Sequence, residues 1–171
     1  MQEAKIRYRK DKLNKYGAFK SVFSFDALPQ YIIKIWGPAS NSMVKKEYET
    51  SLKYPELYAK IVKINWDKRW MAQEKLDTDR VGKELDELAD IFDFNYPSDV
   101  TGWLESISLN SKEKKNAVEE LKQKAPEKLE LLNRWLDFFY KTQQINTKQF
   151  LDINPGNMGY DKEGNLKLLD I

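Results

Sequence analysis

The spacing of the apolar residues changes once along this chain, near residue 77. Before that point they form short runs rich in β-branched and aromatic side chains, which are typical of strands. After it they recur at every third or fourth position, which is the spacing of helices with one buried face. The sequence therefore predicts an α+β protein, in which a strand-rich lobe (residues 1–76) precedes a minimal helical lobe (residues 77–171).

The sequence of the first lobe predicts a five-stranded antiparallel sheet with one helix. The predicted strands are residues 6–9, 19–25, 30–36, 57–64 and 69–73. The helix is predicted over residues 40–53, with Ser40 and Asn41 as candidate N-caps and Pro55 as the stop signal. A chain of 171 residues can bury a sizeable core, either as one domain or as two small lobes.

The sequence of the second lobe predicts four helices and a final hairpin. The helical segments are residues 79–92, 98–108, 111–124 and 126–143. Ser98 and Ser111 are candidate N-caps, and Pro126 suits the start of a helix. The hairpin is expected to turn at residues 161–165, with Gly164 near the turn. Its predicted core residues are Leu166, Leu168 and Leu169.

The chain has no Cys and no His, which narrows the chemistry available to it. Catalysis would depend on Asp, Glu, Lys, hydroxyls and an oxygen-bound metal, because Cys nucleophiles, His bases and His/Cys zinc sites are excluded. The net charge of +2 gives no strong nucleic-acid signal. The start of the chain lacks the apolar core of a signal peptide, and no stretch approaches membrane-spanning length. A cytoplasmic protein without a membrane partner is therefore expected.

Three oxygen-bearing side chains are predicted to meet at one end of the hairpin. The stretch "DINPGN" places Asp152 and Asn157 around a Pro-Gly pair, and Asp170 follows the hairpin. Asp and Asn beside Pro-Gly are also ordinary turn residues. The loop is thus either a site or a turn, and the upstream sequence has to decide between the two.

In this order of elements, "DINPGN" and "LLDI" resemble motifs of the protein kinase-like fold. "DINPGN" is similar to the catalytic-loop pattern Asp-x-x-x-x-Asn, and the Asp of "LLDI" has the spacing of the Asp-Phe-Gly segment. The resemblance implies that Asp152 orients the acceptor hydroxyl and accepts its proton. It also implies that Asn157 and Asp170 each hold a Mg²⁺ ion beside ATP.

The strand "YIIKIW" resembles the kinase strand whose Lys holds the α- and β-phosphates, which makes Lys34 the equivalent residue. Kinases pair this Lys with a Glu of the following helix, and Glu47 and Glu49 are the candidates. Glu47 lies on the apolar stripe of the predicted helix, whereas Glu49 lies on its polar side. The prediction is a Lys34–Glu47 pair; a solvated Lys34 and an ordinary surface pair of Glu47 are the alternatives.

The segment "LNKYGAFKSVF" resembles the glycine-rich loop that covers the nucleotide. Gly17 and Val22 match that loop, whereas Lys15 and Lys20 stand where its first and third glycines would be. Glycines at those places let backbone N–H groups approach the phosphates closely. Both lysines are expected to point to water rather than to phosphate.

The segment "QEKL" resembles the hinge between kinase lobes, which implies that the Glu74 carbonyl and the Leu76 amide bind the adenine edge. The resemblance covers nearly the whole chain, and it points to compact bacteriophage-type serine/threonine kinase-like proteins with a minimal or truncated second lobe. It implies transfer of the γ-phosphate of ATP, with Mg²⁺, to a Ser or Thr hydroxyl of a protein. The partner would be a protein substrate or a host protein, in the host cytoplasm if the chain is phage-encoded.

Two other functions stay open. A pseudokinase-like module would bind ATP or a partner protein without transferring phosphate. The missing docking lobe and the reduced glycine loop favour this alternative. An interaction protein without nucleotide would use its aromatic residues, among them five Trp. Binding of ATP with Mg²⁺ would separate these functions.

Overall fold

The computed structural model describes residues 20–146 and 153–169 of the chain. This part of the chain is mixed α+β, with an antiparallel sheet and several helices, as the sequence predicts. It forms two compact units that divide between Lys75 and Leu76, one residue before the predicted boundary. The first unit contains the sheet and one long helix, and the second contains the remaining long helices and a hairpin.

Among the described residues, the sheet of the first unit has four antiparallel strands. They are β1 (Lys20–Ser24), β2 (Tyr31–Trp36), β3 (Ile61–Asn65) and β4 (Trp70–Glu74), in the order β1-β2-β4-β3. The predicted strand at residues 6–9 lies outside the described residues, so a fifth strand stays a prediction. The predicted strand 57–64 begins later than expected, at Ile61. The reason is a turn, in which the N–H groups of Leu57 and Tyr58 donate to the carbonyl of Tyr54.

One face of the sheet is buried beneath a helix, α1 (Asn41–Lys53). Along β2 every second side chain is buried, namely Ile32, Lys34 and Trp36. Trp36 packs with Met71 of β4 and Val44 of α1 in one apolar cluster. The alternation expected of a half-buried strand therefore places the polar Lys34 on the covered face.

The start of α1 differs from the prediction in how it is capped. A 3₁₀ turn (Pro38–Ser40) precedes the helix. Ser40 N donates to Gly37 O, and Asn41 N, the first N–H of the helix, donates to Pro38 O. Ser40 makes no side-chain cap, and the Asn41 side chain accepts from Trp36 Nε1 at 2.7 Å. Backbone acceptors thus replace the predicted side-chain caps. The helix ends at Lys53, before Pro55, as predicted.

The second unit contains four long helices in its described part. They are α2 (Thr78–Ile91), α3 (Pro97–Ser108), α4 (Ser111–Lys124) and α5 (Leu129–Asn146). The predicted faces of α2 and α5 are buried for the most part, since Leu85, Leu132 and Phe139 are fully enclosed. A 3₁₀ turn (Pro126–Lys128) begins at the predicted Pro126. No helix in the described ranges is long and apolar enough to cross a membrane.

The caps of these helices correct two predictions. Ser111 is the first residue of α4, and the preceding Asn110 is its cap, accepting from the N–H groups of Lys112 and Glu113. Ser98 does not cap α3, which begins one residue earlier at Pro97 without a side-chain cap. Proline fits that position because it has no N–H to satisfy.

The predicted hairpin is formed by β5 (Met158–Tyr160) and β6 (Leu166–Leu168). Gly164 lies in the turn with φ of 83°, a backbone conformation that favours glycine. Leu166 and Leu168 are buried as predicted, whereas Leu169 is only half-buried. The end of the described chain is thus packed into the second unit.

Candidate functional site

The predicted contact between Lys34 and Glu47 is present. Lys34 Nζ lies 2.9 Å from Glu47 Oε1, and the two side chains are 1% and 2% exposed. Glu49, the rejected candidate, is 63% exposed and lies 3.9 Å from Lys45 on the surface of α1. Glu47 rather than Glu49 is therefore the buried glutamate, as predicted, although Met43 and Leu52 of the apolar stripe are exposed. The pair is a buried one rather than a surface one. The roles of both residues stay predictions.

Lys20 contacts the same carboxylate from β1. Its Nζ donates to Glu47 Oε2, and its side chain is 12% exposed. The expectation that Lys20 points to water is therefore wrong. The physical reason is the strand register: Lys20 lies opposite Trp36, and directly opposed residues of antiparallel strands share a face. That face is the one α1 covers, so the lysine is directed towards Glu47.

Two more residues of the predicted nucleotide site lie in the first unit. Val22 is half-buried and directly opposite Lys34, so it shares the face on which the ion pair lies. Glu74 ends β4, where its N–H donates to Lys60 O at 2.9 Å and its carboxylate accepts from Lys60 N at 2.6 Å. Their proposed contacts with nucleotide remain predictions. Gly17 lies outside the described residues.

Sequence reasoning missed two buried polar side chains in this unit, Tyr58 and Gln73. The Tyr58 hydroxyl and Gln73 Oε1 are buried and have no hydrogen-bond partner among the described residues. Gln73 Nε2 donates to the carbonyl of Ala59 at 3.1 Å. Burial, and then the nearby charge of Glu47, raise the pKa of Tyr58 above its ordinary value, so the hydroxyl stays protonated. The alternation along β4 could have identified Gln73, but nothing in the sequence marked Tyr58.

Leu76 belongs to the second unit and is 5% exposed. The next residue, Asp77, pairs with β5: Asp77 N donates to Tyr160 O at 2.8 Å, and Tyr160 N donates to Asp77 O at 3.1 Å. Asp77 also caps α2 by accepting from Arg80 N. The segment that follows the predicted hinge is therefore fixed to the strand that follows Asn157.

The loop that carries Asn157 is ordered by its own polar groups. Asn154 Oδ1 accepts from Gly156 N, and Asn154 O accepts from Asn157 N, both at 2.9 Å. The Asn157 carbonyl accepts from Leu169 N at 2.8 Å. This loop thus contains both the hydrogen bonds of an ordinary turn and a predicted site residue. The predicted Asp152 and Asp170 lie outside the described residues.

The described residues hold no cluster of three or more acidic, His or Cys side chains that could bind a metal. The predicted Mg²⁺ ligands are Asn157 and Asp170, of which only Asn157 is described; it is half-buried. An amide oxygen and a carboxylate are the kinds of donor that Mg²⁺ accepts, together with phosphate and water. The chemistry of this donor set therefore fits the predicted ion.

A second polar cluster, centred on Glu84 of α2, was not predicted. Its carboxylate accepts from Arg80 Nε and Trp135 Nε1, both at 3.0 Å, from Arg134 at 3.3 Å, and from the Tyr160 hydroxyl. Burial, and then the bond to Glu84, raise the pKa of Tyr160 above its ordinary value. The cluster links α2, α5 and β5. Only the four-residue spacing of Arg80 and Glu84 is visible in the sequence.

No protein-family model matches this chain, and no curated protein matches its sequence. Among solved structures, the chain is similar to the crystal structure of choline kinase LicA from Streptococcus pneumoniae, with 16% sequence identity and a TM-score of 0.39. The match covers 94% of this chain, which spans 61% of the length of that choline kinase. With similarity this low, a functional assignment has to depend on the residues of the chain itself.

Proposed function

We propose that this chain is an ATP-dependent phosphotransferase of the protein kinase-like fold. The observation that carries the proposal is the buried Lys34–Glu47 pair between a sheet strand and the helix that covers it. A buried ion pair is often no more stabilising than apolar residues of the same size, so stability alone is a weak reason for placing one on the covered face of the sheet. A lysine that binds phosphate gives a functional reason, and the glutamate fixes its position.

The other roles follow residue by residue from the same proposal. Lys34 binds the α- and β-phosphates of ATP, Val22 packs against the nucleotide, and the Glu74 carbonyl and Leu76 amide bind the adenine edge. Gly17 lets the backbone approach the phosphates. Phosphoryl transfer requires positioning and charge neutralisation more than covalent chemistry, which suits a chain without Cys or His.

Asn157 and Asp170 would hold Mg²⁺, which when bound neutralises charge on the phosphates. Asp152 orients the acceptor hydroxyl and accepts its proton. The proposed acceptor is a Ser or Thr hydroxyl of a protein, as in compact phage-type kinase-like proteins. The kind of acceptor is tested separately from ATP binding.

Calorimetry with Mg²⁺-ATP tests the nucleotide site. We expect wild-type protein to bind, and Lys34→Met to weaken binding about tenfold or more, because a charge-assisted contact to phosphate is lost. Lys45→Met is the matched control: Lys45 is on the same helix as Glu47 but is 69% exposed, so the affinity should not change. Absence of binding by the wild type at millimolar nucleotide would overturn the proposal.

Transfer is measured separately with radiolabelled ATP. The acceptors are the chain itself, a protein lysate, and small alcohols that include choline. Label in a Ser or Thr residue supports the proposed acceptor, whereas label in an alcohol alone replaces it with a small molecule. Binding of Mg²⁺-ATP without transfer to any acceptor would favour the pseudokinase-like alternative. That alternative is already favoured by one observation, the lysine at position 20 in place of a loop glycine.

A further inference from the structure

Both oxygens of the Glu47 carboxylate are held by lysines, each from a different strand. Lys34 of β2 donates to Oε1 at 2.9 Å, and Lys20 of β1 donates to Oε2. The side chains of Lys34, Glu47 and Lys20 are 1%, 2% and 12% exposed, so the cluster is shielded from water. Three elements, β1, β2 and α1, therefore meet at one carboxylate.

A single lysine would leave this carboxylate poorly oriented, because the last torsion of a glutamate side chain is broad. A second donor on the other oxygen fixes the plane of the carboxylate and hence the direction of the bond to Lys34. The Lys45–Glu49 pair on the same helix provides the contrast. Glu49 forms its ion pair with Lys45 at 3.9 Å, and both side chains are mostly exposed.

We propose that Lys20 is a positioning residue that holds Glu47 in place for Lys34. When an anionic ligand approaches Lys34, Lys20 keeps the carboxylate neutralised and α1 attached to the sheet. Lys34 can then donate to the ligand without leaving Glu47 as a buried charge, which would be costly. Lys20 also adds one positive charge close to the anion. The link to ATP phosphates rests on the proposed function, whereas the link between Lys20 and Glu47 does not.

The first test measures the coupling between Lys20 and Glu47 without any ligand. We expect Lys20→Met to lower the melting temperature by about 2–4 °C, the shift that a moderate loss of stability causes in a domain of this size. In a Glu47→Gln background, the same substitution should lower it by less than about 1 °C, because the interacting charge is already gone. Equal shifts in the two backgrounds would overturn the inference.

The second test measures Mg²⁺-ATP affinity by calorimetry, at a temperature where each variant is folded. Lys20→Met should bind about tenfold more weakly, and Lys20→Arg, which keeps the charge, should recover most of the loss. Lys45→Met again serves as the surface control. Wild-type affinity in Lys20→Met, or tighter binding, would show that Lys20 does not support Lys34.

The two tests separate this inference from the proposed function. If wild-type protein binds no nucleotide, the proposed function fails, and the coupling measurement alone decides whether Lys20 holds Glu47. If wild-type protein binds nucleotide and Lys20→Met is indistinguishable from it in either test, the inference fails and the proposed function stands. Should Glu47→Gln not fold, the comparison of Lys20→Met with Lys20→Arg decides the outcome.

Discussion

Gly159 packs against Leu76 so closely that there is no space for a side chain. A Cβ atom placed on Gly159 would lie 2.5 Å from the Leu76 Cβ atom and 3.3 Å from the backbone of Asp77. The neighbouring Tyr160 forms two backbone hydrogen bonds with Asp77. A glycine in β5 therefore permits the close approach of the segment that carries a proposed adenine-binding residue.

Gly159→Ala should destabilise the second unit by about 1–3 kcal/mol, the usual cost of forcing extra volume into a packed region. Gly102→Ala is the matched control, since Gly102 lies in α3 with open space around its Cα. That change should stabilise the protein by up to about 1 kcal/mol, because alanine is the better helix former. Urea unfolding measures both. A neutral Gly159→Ala would mean that the strand moves away from Leu76 at little cost.

Lys34→Met should lower the free energy of unfolding by about 3–5 kcal/mol, because it leaves a buried carboxylate with one fewer cation. Lys45→Met, which removes an exposed partner of Glu49, should change it by less than about 0.5 kcal/mol. Chemical unfolding at neutral pH compares the two. Similar small effects in both variants would indicate that the Lys34–Glu47 pair is solvated in solution.

The burial of Glu47 and the exposure of Glu49 were predictable, because they depend only on the repeat of a single helix. Glu47 and Glu49 are two residues apart on a helix, so one faces the sheet and the other faces water. The Lys20 contact was not predictable, since it depends on the register of β1 against β2, which the sequence does not state. The Glu84 cluster joins residues up to 76 positions apart. Such contacts are decided by packing between elements rather than by local pattern.

Two buried tyrosines allow a test of hydrogen bonding with one substitution. Tyr58 is 1% exposed and its hydroxyl has no hydrogen-bond partner in the described part of the chain, whereas Tyr160 is 2% exposed and its hydroxyl donates to Glu84. Tyr58→Phe should be neutral or stabilising, by up to about 1 kcal/mol, because it removes an unsatisfied group. Tyr160→Phe should cost about 1–3 kcal/mol. Thermal unfolding measures both, and a costly Tyr58→Phe would indicate that an internal water binds that hydroxyl.

Asp161 should make the stability of the hairpin depend on pH. Burial alone would raise the pKa of Asp161, but bonds from the Asn165 side chain and backbone and from Lys167 outweigh burial and hold the pKa below its ordinary value. A lowered pKa in the folded protein means that the stabilising contribution is complete at neutral pH. It is lost as the pH falls below about 4 and the carboxylate takes up a proton. The free-energy difference between wild type and Asp161→Asn should therefore shrink towards acid pH; a constant difference would contradict this account.

Asp170 and Asp152 have different proposed roles, one in nucleotide binding and one in phosphate transfer. Asp170 is proposed as a Mg²⁺ ligand, so Asp170→Asn should weaken metal-dependent ATP binding as well as turnover. The physical reason is that a charge holding the ion is lost before the reaction begins. Titration of ATP with and without Mg²⁺ measures the effect, and Asp161→Asn, outside the proposed site, serves as the control. Unchanged Mg²⁺ dependence would remove Asp170 from the metal site.

Asp152 is proposed to act on the acceptor hydroxyl rather than on the nucleotide. Asp152→Asn should therefore leave Mg²⁺-ATP affinity nearly unchanged and lower transfer by about 10²–10⁴-fold, the loss expected for a positioned general base. Calorimetry gives the affinity, and radiolabelled ATP with an accepting protein gives the transfer rate. Equal losses of binding in Asp152→Asn and Asp170→Asn would contradict the division of roles. Rapid transfer by Asp152→Asn would leave this aspartate as an ordinary loop residue, which is the other interpretation of the stretch around Pro155 and Gly156.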